Sequence, residues 1–220
     1  MKPLAFFIFF ALLVPGTAAA QLHVDASAQV GVNKRVATNR PPGGADAGFG
    51  GVGQLTAHVA LLPLVRVGGY VGHEIAAFGD ATRDITWGGL HVKVMSPVLR
   101  QFKPYVFLGF GYAGVYQRSY ERSVFEPNAA GGVTKKNALV QGAGGGYFDV
   151  PLGIGASYKL VKPLELVCEL GVHLGFAHKG SAYEDPGPQL SIAGEPDNNQ
   201  LPLGIDRLSV GLTVGVLFDL

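Results

Sequence analysis

A single cysteine, Cys168, occurs in the 220 residues, so no internal disulfide can form, and the residue reads as a hydrophobe on an apolar strand face. Charge is scarce and balanced. Only 15% of residues are charged and the formal net charge is +1, which excludes a nucleic-acid partner held by basic surface. Beyond the N-terminus no stretch is apolar for the roughly 18 residues that a transmembrane helix needs. Signatures of catalysis and cofactor binding are incomplete as well. Gly48-x-Gly50-x-x-Gly53 and Gly109-x-Gly111-x-x-Gly114 have the spacing of a dinucleotide site, but no helical pattern follows either one to hold a pyrophosphate. His73-Glu74 lacks the second histidine of a zinc-protease helix, because Ala77 stands in its place. His23, His58, His91 and His173 lie on separate strands without ligand spacing, so neither a metal nor a cofactor is expected.

What is abundant is glycine, with 33 residues, and apolar side chains, at 48% of the chain. Together with a mean hydropathy of +0.27 this suits a thin-walled barrel, apolar outside and lined by small residues inside. Residues 1–20 have the layout of a cleaved secretory signal peptide: Lys2, an apolar run from Leu4 to Val14, a Pro15-Gly16 break and Ala18-Ala19-Ala20 before Gln21. The mature domain is then 21–220. Its final stretch, Arg207 to Leu220, alternates without interruption. Leu208, Val210, Leu212, Val214, Val216, Phe218 and Leu220 face one way, opposite Arg207, Ser209, Gly211, Thr213, Gly215, Leu217 and Asp219. An apolar side this long and unbroken is that of a lipid-facing strand, and an open strand edge cannot sit in hydrocarbon, so the chain must close on itself.

Period-two alternation recurs upstream and gives about eight strands: from Leu22 to Asn33, near 54–61, 65–75, 85–95, 104–116, 147–160, 164–176, and the last. Connections alternate long and short, as in outer-membrane barrels with long external loops and tight periplasmic turns. The long ones run from Lys34 to Gly51, Gln117 to Leu139 and Ala177 to Gly204, with a medium loop from Ala77 to Asp84. The phase is ambiguous over 85–89, where a bulge would fit, and over 104–116, where both faces are apolar or glycine. Phe102, Tyr105, Tyr147, Phe148, Tyr158, Phe176 and Phe218 fall near strand ends and are expected to form interfacial girdles.

The terminal residues Val216, Phe218 and Leu220 resemble the C-terminal signal by which bacterial outer-membrane barrels are recognised for assembly, although here the aromatic stands two positions before the end. The segment Lys103-Pro-Tyr-Val-Phe-Leu-Gly-Phe-Gly-Tyr112 resembles a mid-barrel strand of the small OmpA-like and OmpX-like outer-membrane β-barrel superfamily. The resemblance implies an all-β fold: an eight-stranded, antiparallel, up-and-down transmembrane barrel in the outer membrane. It also implies outer-membrane lipid and the barrel assembly machinery as partners, and a monomer.

The expected role is structural or loop-mediated rather than enzymatic. Two alternatives are a small pore or transporter for hydrophobic or small solutes, and a rim enzyme acting on lipid A. For the latter, His178, Ser181 and Glu184 cluster where a hydrolytic triad would sit, but by sequence proximity only. The inward phase carries Arg66, Lys93, Lys159 and Arg207 with Asp25, Glu74, Glu165 and Glu169. Four bases and four acids in so narrow a bore must pair, so a plugged lumen is expected, with Asp25, Arg66, Lys93 and Glu165 in one network near the periplasmic end.

Overall fold

The structure, a computed structural model, describes residues 23–38, 47–78, 81–96, 101–127, 132–140, 142–183 and 205–220. The proposed signal peptide and Glu184 lie outside these. Ten strands form among the described residues: β1 (Val24–Thr38), β2 (Ala47–Leu62), β3 (Val65–Phe78), β4 (Ala81–Met95), β5 (Phe102–Gln117), β6 (Tyr120–Pro127), β7 (Val133–Val140), β8 (Ala143–Val161), β9 (Leu164–Lys179) and β10 (Ile205–Asp219). Eight of them close a barrel in the order β1-β10-β9-β8-β5-β4-β3-β2, every pair antiparallel. The first and last strands zip together from Asp25 opposite Asp219 to Thr38 opposite Ile205, which removes both edges.

The outer wall carries the apolar phase. Val30, Leu55, Leu90, Leu108, Ile154, Leu170 and Val214 are all exposed, one per strand save β3, where Val71 and Ile75 do the same. A continuous apolar belt around a closed barrel needs hydrocarbon around it rather than water. Cys168 lies on this outer wall.

Four details depart from the sequence reading. No bulge interrupts 85–89: β4 pairs without a shift on both sides, and Trp87 points inward, 3% exposed. Shifts fall instead at strand ends, among them Val36/Ala37 and Lys159/Val161. The loop from Ala77 to Asp84 is mostly strand, since Phe78 pairs with Ala81, and the long loop after β5 contains its own two-stranded hairpin, β6-β7. Of the expected girdle, Phe102, Phe148, Tyr158, Phe176 and Phe218 are on the outside, whereas Tyr105 and Tyr147 are buried in the lumen. The phase of β5 decides the first of these, because Tyr105, Phe107, Ala113 and Val115 turn in while Val106, Leu108, Phe110 and Tyr112 turn out.

Inward glycines make room for these rings. A Cβ at Gly155 would lie 2.5 Å from the Tyr105 ring, and one at Gly72 2.5 Å from the Trp87 indole. Gly155→Leu is therefore expected to displace Tyr105 and to lower stability by about 1–3 kcal/mol, the ordinary cost of overpacking, whereas Gly51→Leu, which meets nothing within 4 Å, leaves it unchanged. Urea unfolding of both variants in detergent micelles, followed by the fluorescence of the sole tryptophan, Trp87, checks this.

Candidate functional site: a filled lumen

Period-two alternation on each strand sends every second side chain into the bore, and three layers of polar groups fill it. At the end of the barrel closed by the β2–β3 and β8–β9 turns, Arg66 contacts Asp25 and reaches Asp219 Oδ1 at 3.3 Å. Asp219 also accepts from Lys103 Nζ at 3.0 Å, and Lys103 donates to Glu165, whose other oxygen accepts from Ser157 at 2.6 Å. Asp25 bonds the His58 ring at 2.9 Å, and His58 meets His91 at 3.0 Å.

One layer further in, Lys93 Nζ lies 3.1 Å from Glu169 Oε1, the oxygen that also accepts from Tyr105 OH. Towards the other end, Glu74 is fully buried and gripped in a two-point clamp by Arg35, with Nε to Oε1 at 2.9 Å and Nη2 to Oε2 at 2.7 Å. Asn33 adds a third bond to this carboxylate at 2.8 Å, and Arg35 Nη1 donates to Tyr147 OH at 3.1 Å. Nearby, Asp149 bonds His173 at 2.9 Å. An apolar cluster of Val52, Ala76, Phe78, Ile85, Trp87 and Val115 surrounds this layer, and Arg83 lies 4.5 Å over the Phe78 ring beneath Tyr183.

Six of the eight charges read from the sequence thus sit in the bore: Asp25, Arg66, Glu74, Lys93, Glu165 and Glu169. They do not form one network. Asp25, Arg66 and Glu165 share the turn-end cluster through Asp219 and Lys103, but Lys93 pairs with Glu169 and Glu74 with Arg35. Two placements are corrected. Arg207 is exposed, because it stands near the start of β10, before the buried Ser209, and Lys159 is only half-buried where β8 shifts register before its turn. Val216, Phe218 and Leu220 line the outer wall at the end of β10.

Sequence reasoning missed Arg35, Lys103, Asp149 and Asp219 as partners. For Arg35 the signal was present: the inward series Asp25, Ser27, Gln29, Gly31, Asn33 reaches it if the alternation is carried two residues further. At the rim, Ser181 Oγ donates to the carbonyl of Gly144 at 3.2 Å, and the His178 ring is stacked on Tyr147 at 4.8 Å.

On the outer wall above the apolar belt, Arg118 Nε and Nη2 clamp Asp84 at 2.6 and 2.7 Å. Donating these hydrogen bonds to Asp84 raises the Arg118 guanidinium above its ordinary value, so this clamp stays charged wherever the carboxylate is ionised.

Between the layers lies a cavity with a volume of about 20 Å³ and walls drawn from all eight barrel strands. That is room for a single water molecule.

No protein-family model matches the chain, and no curated protein matches it. Solved structures do. Neisserial surface protein A aligns over 90% of this chain and 97% of its own, with 11% identity and a TM-score of 0.54. A major outer membrane protein from Thermus thermophilus aligns over 90% and 99%, with 16% identity and a TM-score of 0.50. At such identities the likeness establishes the fold.

Proposed function

We propose that this protein is an exported outer-membrane β-barrel that works through the surface it presents beyond the membrane, and not as a passage. The observation carrying this reading is the lumen, where, among the described residues, three ionic layers and an apolar cluster surround a cavity with room for about one water. A barrel of eight strands is just wide enough for its side chains to fill, and here they do. The apolar belt supports residence in lipid, with lipid itself as the surrounding partner and the outward row Val216, Phe218 and Leu220 as the strand offered to the assembly machinery.

The surface available for a partner is the end opposite the short turns. The β6-β7 hairpin stands there outside the barrel sheet, pairing only with itself among the described strands, and β9 ends and β10 begins on the same side. Loops on a rigid barrel are where recognition is most readily carried. The engagement of Ser181 with Gly144 weighs against the rim-enzyme alternative.

Cell fractionation followed by protease treatment of intact cells tests the reading. The protein is expected in the outer-membrane fraction, cleaved at the exposed Lys179 but protected at Lys162 in the β8–β9 turn until the cells are opened. Recovery in the soluble periplasm would end the membrane reading. Cleavage at Lys162 with Lys179 protected would invert the topology.

A further inference from the structure

On the outer wall, close to the end with the short turns, two cavities of about 640 and 540 Å³ lie side by side. Phe102, Ala156 and Cys168 line both. From that shared floor they run apart, the larger across β5 to Val94 and Met95 on β4, the smaller across β10 to Val30 on β1. Cross-strand register explains the hollow. Ala156 pairs with Cys168, between the pairs Ile154–Leu170 and Tyr158–Leu166, so two short side chains are flanked by taller ones on either side. The taller residues are exposed members of the outer belt, and no charged residue lines either cavity.

A hollow in a wall that faces hydrocarbon is filled by hydrocarbon, since water there would lack hydrogen-bond partners. A methylene group occupies about the 30 Å³ that a water molecule has in the liquid, so each cavity takes roughly 18 to 21 of them, one acyl chain. Inside a membrane apolar groups are held together by packing, and a chain lying in a groove touches protein on more sides than a chain against a convex wall. Positive charge stands at the headgroup level. Lys162 is exposed in the β8–β9 turn, and Lys159, next to Tyr158, is half-buried, its cross-strand neighbour Glu165 already engaged by Lys103 and Ser157. Lysines at the edge of an apolar belt attract anionic lipid.

Resting on the membrane reading above, we propose that this face binds one anionic phospholipid of the periplasmic leaflet, with an acyl chain in each cavity and its phosphate beside Lys162. Two features choose this occupant. The cavities meet at one floor and diverge, which suits two chains joined at one glycerol. They also lie towards the end closed by the short turns, which is the periplasmic side when the long loops face outwards.

Native mass spectrometry of the full mature protein released from micelles tests the proposal, with phosphatidylglycerol, its single-chain lyso form and lipid A each added in turn. One phosphatidylglycerol is expected to stay on the wild type, with the lyso form and lipid A held several-fold less. Ala156→Phe, which fills the shared floor from the lipid side, should lose the bound lipid. Lys162→Glu should weaken it several-fold, whereas Ala57→Phe, exposed on β2, which lines neither cavity, should keep it. Trp87 fluorescence reports whether each variant is folded. Equal retention by folded Ala156→Phe, equal retention of the lyso form or of lipid A, or two protein chains held together without lipid would each overturn the site. So would a spread of several loosely held lipids on every variant, which is ordinary boundary lipid and leaves the membrane reading intact. A protein that enters neither micelles nor liposomes overturns both.

Discussion

Replacing Glu74 by alanine should cost about 3–5 kcal/mol of stability, because it leaves the Arg35 guanidinium in the bore without its carboxylate. Arg35 is 3% exposed and Glu74 not exposed at all, and the carboxylate takes two bonds from Arg35 and one from Asn33. The loss therefore combines a buried charge stripped of its counter-charge with an amide deprived of its acceptor. Arg35→Ala should cost a similar amount for the mirror-image reason. The double variant should be more stable than the sum of the two losses predicts, since neither charge is then left behind. Urea unfolding in micelles, read through Trp87, gives the three values and hence the coupling. Strict additivity would mean that the two groups do not act as a pair, and the clamp would then have no part in holding the barrel shut.

Alternation alone made the barrel legible: β1, β3, β9 and β10 each keep one phase over most of their length, and phase is what a closed sheet in lipid must specify. The ambiguous stretches were those where alternation carries no contrast. In β5 both Tyr105 and Val106 are apolar, and only the eight-strand closure decides that Tyr105 meets Glu169 while Val106 meets lipid. Strand ends were drawn short because polar inward residues such as Arg35 and Arg83 read as loop once the outward apolar partner fades. Which acid meets which base was not legible. Lys93 was assigned to Asp25 and Arg66 by its distance along the strand from a turn, but each strand is offset against the next around the barrel, and the residue that this brings to Lys93 is Glu169 on β9. The His58–His91 contact joins strands that are not neighbours in the sheet, so only the curvature of the barrel brings the rings together.

Across a planar bilayer the wild-type protein should give no steady channels, and the arrangement of the filling says what would be needed to make them. Two aromatic obstructions stand in series with the ionic layers. At mid-height Trp87 and Phe107 line the single-water cavity, and Tyr105, in one apolar cluster with Phe107, is fixed to Glu169. Beyond it Phe78, Arg83, Tyr147 and Tyr183 stack across the bore, with Arg83 held over the Phe78 ring and bonded to the carbonyl of Ala182 at 3.2 Å. Current through obstructions in series is set by the tighter one, so removing either alone changes little. Trp87→Ala with Phe107→Ala and Tyr105→Ala should stay silent, and so should Arg83→Ala with Tyr147→Ala and Tyr183→Ala. All six together remove both aromatic plugs but leave the Arg66–Asp25 and Lys103–Asp219 pairs and the Arg35–Glu74 clamp in the bore, so this variant should conduct only once those pairs are replaced as well. The β-sheet circular dichroism of each variant shows whether its barrel has formed before its conductance is judged. Large, well-defined channels from the wild type would remove the case for a filled lumen and restore the pore reading. Conduction by the mid-height variant alone would show that the outer stack is not a seal.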